Sequence, residues 1–279
     1  MAADAPIGVF DSGVGGLSIW REIARQMPHE STLYLADQAH VPYGPRPAAE
    51  IRGFCDGIVE FLLDAGCKAI VVACNTASAV ALKHLRERFP AVPIIGLEPA
   101  VKPAAAITRT GVIGVMATPA TFQGRLYQAT VGRHAAGLRV VDRVCGGLAE
   151  LIESGAPDGP DTQARLEGYV RPILDAGADV IVLGCTHYPF VIEPIRRIAG
   201  PGVTVIDPAP AVARHLGNVL LHRGLRWREG IADHRFLTTG EATRFDAIAW
   251  RLGGVAAASS VLKWSGARLA SWQALSPGG

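Results

Sequence analysis

LDAGCKAIVVAC at residues 63–74 and LDAGADVIVLGC at residues 174–185 are the same phrase written twice. Laid on each other without a gap they share seven of twelve residues: Leu, Asp, Ala, Gly, Ile, Val and the final Cys, at an offset of 111 throughout (174 − 63, 185 − 74). Each phrase reads as a helix end, a glycine in C-terminal cap position and a short apolar run rich in β-branched residues. Each closes on a cysteine followed by polar residues: Cys74-Asn75-Thr76 and Cys185-Thr186-His187. Neighbouring segments echo too. IGVFDS (7–12) answers IGVMAT (113–118), and EPAV (98–101) answers DPAPAV (207–212). We read this as a duplicated α/β unit.

Working outward, strand, loop and helix alternate. PIGVFDSGVGG (6–16) is a strand entering a glycine-rich turn, and LSIWREIARQM has helical spacing. STLYLAD is a strand, AAEIRGFCDGIVEFLLDAG a helix ending at Gly66, KAIVVA a strand, CNTASAVALKHLRERF a helix and VPIIGL a strand. The order restarts at GVIGVMATPAT, with a helix over 162–177, strands at VIVLGC and VTVID, and a closing helix at ATRFDAIAWRLGG. Short apolar strands alternating with helices predict mostly parallel sheets buried on both faces. The expected fold is α/β: two pseudo-symmetric domains with a site in the cleft between them. The first domain takes residues 1–98 plus 208–254 and the second 99–207, with 255–279 as a C-terminal extension.

Composition narrows the function classes. Of 279 residues 49% are hydrophobic and 19% charged, enough for a sizeable core. A formal net charge of +2, without a run of like charges, argues against nucleic acid and anionic membranes as partners. No stretch of membrane-spanning length lacks a charge or a breaker. The start, MAADAPIGVF, lacks the basic and apolar regions of a signal peptide, so a cytoplasmic location is expected. Five widely spaced cysteines, with no CxxC pair and no zinc spacing, read as free thiols. Cys55, Cys67 and Cys145 are taken as structural. Trp264 and Trp272, eight apart in the tail, are expected on one face of a packing helix.

In open α/β sheets, ligand sites form beyond the carboxyl ends of strands. Cys74, Cys185, Asp11, Ser12 and Thr118 all hold such positions. If the halves face each other, the two cysteines flank one ligand from opposite sides. One thiol can then remove a proton from a carbon while the other returns one to the opposite face, which inverts a stereocentre. An ordinary thiol pKa of about 8.5 lets a modest environmental shift supply either form near neutrality. The GVGG turn (13–16) lacks a following GK[ST] and is not a phosphate loop. Its glycines are expected to admit a small ligand, and the helix it opens offers N–H groups to a carboxylate. No lysine follows a strand end as a pyridoxal site would need. No metal and no organic cofactor is expected.

Six motifs taken together resemble the glutamate racemases, of the cofactor-independent aspartate/glutamate racemase superfamily: FDSGVGGLS (10–18), VPYG (41–44), ACNTAS (73–78), MATPAT (116–121), LIESG (151–155) and GCTHYP (184–189). The resemblance runs from about residue 7 to about residue 253. It implies Cys74 and Cys185 as the acid/base thiols, with Asp11 assisting the first and His187 and Glu153 the second. It implies glutamate held by Asp11, Ser12, Tyr43, Gly44, Asn75, Thr76, Thr118, Thr121, Thr186 and His187. It also implies a homodimer and a role in supplying D-glutamate for peptidoglycan. The chain departs from the pattern at Pro45-Arg46-Pro47, at Cys145-Gly146-Gly147 and in the long tail. Rival readings are an aspartate or hydantoin-type racemase of the same superfamily, a thiol hydrolase using Cys185 and His187, and a non-catalytic amino-acid- or partner-binding protein. Against the hydrolase, near-adjacent residues rarely place an imidazole beside their own thiol, and Cys74 would be idle.

Overall fold

A computed structural model describes residues 2–154 and 157–270. In chain order its first part is β1 (Ile7–Asp11), α1 (Leu17–Gln26), β2 (Thr32–Ala36), α2 (Ala48–Asp64), β3 (Ala69–Val72), α3 (Asn75–Arg88), β4 (Ile94–Gly96) and α4 (Val101–Ile107). The second part is β5 (Val112–Ala117), α5 (Pro119–Gln123), α6 (Arg125–His134), β6 (Arg139–Val144), α7 (Leu148–Ser154), α8 (Pro160–Asp175), β7 (Val180–Gly184), a 3-10 turn at Tyr188–Val191, α9 (Ile192–Ala199) and β8 (Thr204–Ile206). The chain then adds α10 (Ala209–His222), β9 (His234–Thr238), α11 (Ala242–Gly253), β10 (Ser260–Val261), β11 (Trp264–Ser265) and β12 (Arg268–Leu269).

Two parallel sheets result, ordered β10-β9-β2-β1-β3-β4 and β6-β5-β7-β8. The run β2-β1-β3-β4 and the run β6-β5-β7-β8 have one topology, and the correspondence reaches individual residues. Gly8 pairs with Ile70 and Gly114 with Ile181, again 111 apart on the second strand (181 − 70). A Cβ on Gly8 would sit 3.1 Å from Leu62 Cδ1, and one on Gly114 would sit 2.2 Å from Ile173 Cγ2 (173 − 62 = 111). Each of these central strands therefore carries a glycine where the helix that leads into its neighbour, α2 or α8, rests on it.

The helix ends correspond as well. Gly66 has φ +83° and Gly177 φ +88°. Gly66 N–H donates to the Leu63 carbonyl and Cys67 N–H to that of Leu62, while Gly177 and Ala178 do the same to Leu174 and Ile173. Both are Schellman motifs, in which a left-handed residue free of Cβ strain satisfies the last carbonyls.

The central strands β1, β3, β5 and β7 are buried on both faces and are apolar without alternation. Ile7, Val9, Ala69 and Val71 face one core, under α1, α10 and α11; Phe10, Ile70 and Val72 face the other, under α2 and α3. In the second sheet Met116, Ile181 and Leu183 face one core and Ile113, Val115 and Val182 the other. No helix among the described residues is long and apolar enough to cross a membrane.

The tail differs from expectation. It forms no helix over its described part. Ser260–Val261 adds a parallel strand beyond β9, and β11 and β12 make a hairpin turning at Gly266, φ +59°. Ser265-Gly266-Ala267 is turn chemistry between short β-prone pairs, and this overrides the helical spacing of two tryptophans. Trp272 lies outside the described residues, as do the rest of 271–279 and Gly155 of the LIESG motif.

Candidate active site

In the first sheet β1 lies between β2 and β3, and in the second β5 lies between β6 and β7. Connections diverge at these central strands, which opens crevices at their carboxyl ends. From the first crevice come Asp11 and Ser12 after β1 and Cys74 after β3. From the second come Thr118 after β5 and Cys185 after β7.

Asp11 is buried. Its Oδ2 accepts the Gly16 N–H (2.8 Å), satisfying one donor at the start of α1. Its Oδ1 is also buried and has no hydrogen-bond partner. Burial raises the Asp11 pKa, against the opposing charge of His187 and the Gly16 N–H.

Cys74 is the N-cap of α3. Its Sγ takes the Ala77 N–H at 3.5 Å and lies 3.8 Å from Ser12 Oγ. Burial drives this thiol well above its ordinary pKa and the Asp11 carboxylate adds to the rise, while the Ala77 N–H and Ser12 pull it back. Beside it Asn75 is buried, with neither Oδ1 nor Nδ2 hydrogen-bonded.

Across the cleft, Cys185 Sγ lies 3.8 Å from His187 Nδ1, and His187 Nε2 lies 2.7 Å from Glu153 Oε1 on α7. Burial of the imidazole works against its protonation, but hydrogen bonds to Cys185 and Glu153 and the charges of both carry its pKa well above the usual value. The imidazole thus does reach the thiol two residues away. A turn over 185–188, closed by the Tyr188 N–H donating to the Cys185 carbonyl at 3.1 Å, bends the chain between the two residues. Closeness in sequence, expected to keep this imidazole off its neighbouring thiol, does not prevent the contact.

The halves touch directly. Ser18 Oγ on α1 donates to the Thr186 carbonyl at 2.9 Å. Thr76 Oγ1 lies 3.2 Å from Thr118 Oγ1, which lies 3.1 Å from Thr121 Oγ1. A Cβ on Gly15 would come within 2.5 Å of both His187 Nδ1 and Thr186 Oγ1, and one on Gly13 within 3.3 Å of Glu153 Oε1. The GVGG glycines thus admit the opposite half, where the sequence suggested a ligand. Gly16 admits its own half: a Cβ there would meet Asp11 Cβ at 2.7 Å and Tyr34 Oη at 2.8 Å.

Tyr43 is buried and its hydroxyl donates to Asp37 Oδ2 at 2.7 Å, so that hydroxyl is turned toward the protein. Gly44 beside it is open, with no atom within 4 Å of where a Cβ would stand. The other three thiols are held protonated. Burial raises Cys55, pushes Cys67 up to about 12 and pushes Cys145 up to about 12.

Two features escaped the sequence reading. One is Ser18, whose helical position gave no hint of a contact across the cleft. The other is Asp37, which follows β2 as Asp11 ends β1. Its strand-end position in YLADQAHVPYG was the available signal.

Residues 7–216 match the family described as Asp/Glu/Hydantoin racemase. A glutamate racemase from Roseiflexus sp. (strain RS-1) is 50% identical over 249 residues, 88% of this chain and 92% of that protein. Among solved structures, the glutamate racemase isoform RacE1 of Bacillus anthracis superposes with a TM-score of 0.84 at 36% identity, covering 92% of this chain and 97% of that one. The Francisella tularensis glutamate racemase in complex with D-glutamate superposes with a TM-score of 0.83 at 30% identity, covering 94% and 98%.

Proposed function

The chain belongs to the Asp/Glu/Hydantoin racemase family, and from that premise we propose that it interconverts L- and D-glutamate by proton transfer between two thiols. The observation that carries the reading is a pair of strand-end thiols, each with its own supporting groups, on halves that touch through Ser18–Thr186 and Thr76–Thr118. Cys74 stands beside the Asp11 carboxylate on a helix N-terminus, and Cys185 stands beside the His187–Glu153 pair.

Burial and the Asp11 charge raise the Cys74 pKa. In one direction of the reaction Cys185, as the thiolate, takes the α-proton from one face of the amino acid, and the Cys74 S–H delivers its proton to the other. Cys185 leaves the turnover as the thiol and Cys74 as the thiolate, the state that the reverse reaction starts from. The sulfurs must exchange their proton before the same enantiomer reacts again. The unpartnered Asp11 Oδ1 is suited to accept from an ammonium, and Asn75, with a free acceptor and a free amide donor, to engage ammonium and carboxylate. Ser12, Thr76, Thr118, Thr121 and Thr186 add hydroxyls around the same cleft, and Tyr43-Gly44 its outer loop. Placed donors of this kind lower the barrier to a carbanion-like intermediate.

The reading needs no metal and no organic cofactor. Its test is racemisation in deuterated water, followed by circular dichroism and by mass. Product enantiomer must carry deuterium at the α-carbon, and Cys74→Ser and Cys185→Ser must each abolish racemisation while leaving the fold intact. Normal turnover by either single variant ends the two-thiol mechanism. Rapid turnover of aspartate with none of glutamate moves the substrate assignment within the family. Supply of D-glutamate for peptidoglycan, a cytoplasmic location and a homodimer are carried by the resemblance alone. Complementation of a D-glutamate auxotroph, fractionation and light scattering check them in turn.

A further inference from the structure

Asp37 is fully buried one residue beyond β2, and its carboxylate is saturated by four donors from three separate segments. Oδ2 receives the Tyr43 hydroxyl at 2.7 Å and lies 2.9 Å from His40 Nδ1. Oδ1 receives the Thr239 hydroxyl at 2.8 Å and the indole N–H of Trp264 at 2.8 Å. Two of these donors lie in or just before the VPYG loop, one lies just past β9, and the last is in the terminal hairpin. A carboxylate has about four acceptor sites, so each donor fixes where the others stand.

The hairpin is built into its seat. A Cβ on Gly57 of α2 would meet the Ala267 carbonyl at 2.5 Å and Trp264 Cζ3 at 2.8 Å, so the glycine opens the notch that receives the hairpin. The Trp264 ring stands edge-on to His40 at 5.1 Å between centroids, and His40 stacks on Phe54 at 3.8 Å. A segment beyond the motif-bearing part of the chain thus touches the loop through both its N–H and its ring.

We propose that Trp264 is a positioning residue for substrate binding, holding through Asp37 the loop whose Tyr43-Gly44 backbone serves glutamate. The inference rests on the reading of that loop as part of the glutamate site. Trp264 touches no reacting atom. Its loss loosens a binding loop in ground and transition states alike, which raises KM and leaves kcat in place.

The test is Trp264→Phe, which keeps a ring and removes the N–H. KM for glutamate is expected to rise about tenfold, the scale of one hydrogen bond to a charged group, with kcat within about twofold. Thr239→Val removes the other donor to the same oxygen without touching the hairpin and must move KM the same way. Tyr43→Phe combined with Trp264→Phe must cost less than the product of the two single effects, because both act through one carboxylate. Hydrogen exchange of the peptide spanning 38–46 must quicken in Trp264→Phe relative to peptides of the second sheet. An unchanged KM in both Trp264→Phe and Thr239→Val, or strictly multiplicative effects in the double variant, overturns the proposal. A purely structural role shows itself as a lower melting temperature with wild-type KM in the folded fraction. Should the wild-type chain fail to racemise glutamate, the activity reading falls, and the exchange of 38–46 still decides whether Trp264 holds the loop.

Discussion

Gly15→Ala separates the two halves of the cleft without touching either core. Gly15 does not have a positive φ, so its backbone accepts alanine. The added methyl, however, would sit 2.5 Å from His187 Nδ1 and from Thr186 Oγ1, about 1 Å inside ordinary contact. The imidazole is not free to yield. It is held at both nitrogens, by Cys185 and Glu153, and the Thr186 backbone is tied to Ser18, so even with the Thr186 hydroxyl rotated away the ring still blocks the methyl. The strain is relieved by moving one half away from the other by roughly that ångström. Misplacement of that size costs about a hundredfold in rate, or about 2.7 kcal/mol of activation free energy.

Gly114→Ala is the matched control, since its methyl would strike Ile173 at 2.2 Å inside a packed core. Overpacking there costs about 1–3 kcal/mol of stability. The assay is kcat/KM for glutamate by circular dichroism, alongside thermal unfolding of both variants. Gly15→Ala is expected to lose about a hundredfold in kcat/KM with a melting temperature close to wild type. Gly114→Ala is expected to melt earlier. A Gly15→Ala variant with kcat/KM within twofold of wild type, or one that melts as early as Gly114→Ala, refutes the reasoning.

Other outcomes follow from the same geometry. Glu153→Gln removes one of the two partners that hold the His187 pKa above its ordinary value. A raised folded pKa adds stability below about pH 6.5 that fades as pH climbs through the folded value, so the wild-type advantage over Glu153→Gln in melting temperature must be largest in mild acid and shrink in alkali. An NMR titration of His187 must show its pKa falling in the variant. Lys68→Met leaves buried Glu30 without the ammonium 2.5 Å away and is expected to cost about 3–5 kcal/mol in urea unfolding, part of it recovered by adding Glu30→Gln. Cys67→Ala, at a thiol that burial holds protonated, must leave the racemisation rate unchanged and lower only stability.

Much of the fold was legible because a duplicated unit prints its packing twice. Seven shared residues in twelve mark strand, cap and thiol together, and among them are the Schellman glycines Gly66 and Gly177 and the register partners Ile70 and Ile181. The unread elements lack that signature. β6 is an edge strand carrying Arg139, Asp142 and Arg143, and β9 opens on His234 and Arg235, so neither shows an apolar run. The hairpin pairs are two residues long, too short for any period to show. In the cleft, strand-end position found Asp11, Ser12, Cys74, Thr118 and Cys185. It left Asp37 unnoticed because its partners stand up to 227 residues away. Contacts between halves, such as Ser18 with Thr186, depend on how the sheets face each other, and no local pattern encodes that.

Cys74 occupies the first position of a helix, where Ser, Thr, Asp or Asn would ordinarily supply an oxygen to the exposed N–H groups. A campaign to harden this protein against heat, scoring variants by survival alone, would therefore favour serine at 74. On the two-thiol proposal it would return a sturdier scaffold without turnover. Any thermostabilisation of this chain has to be screened by turnover from the first round.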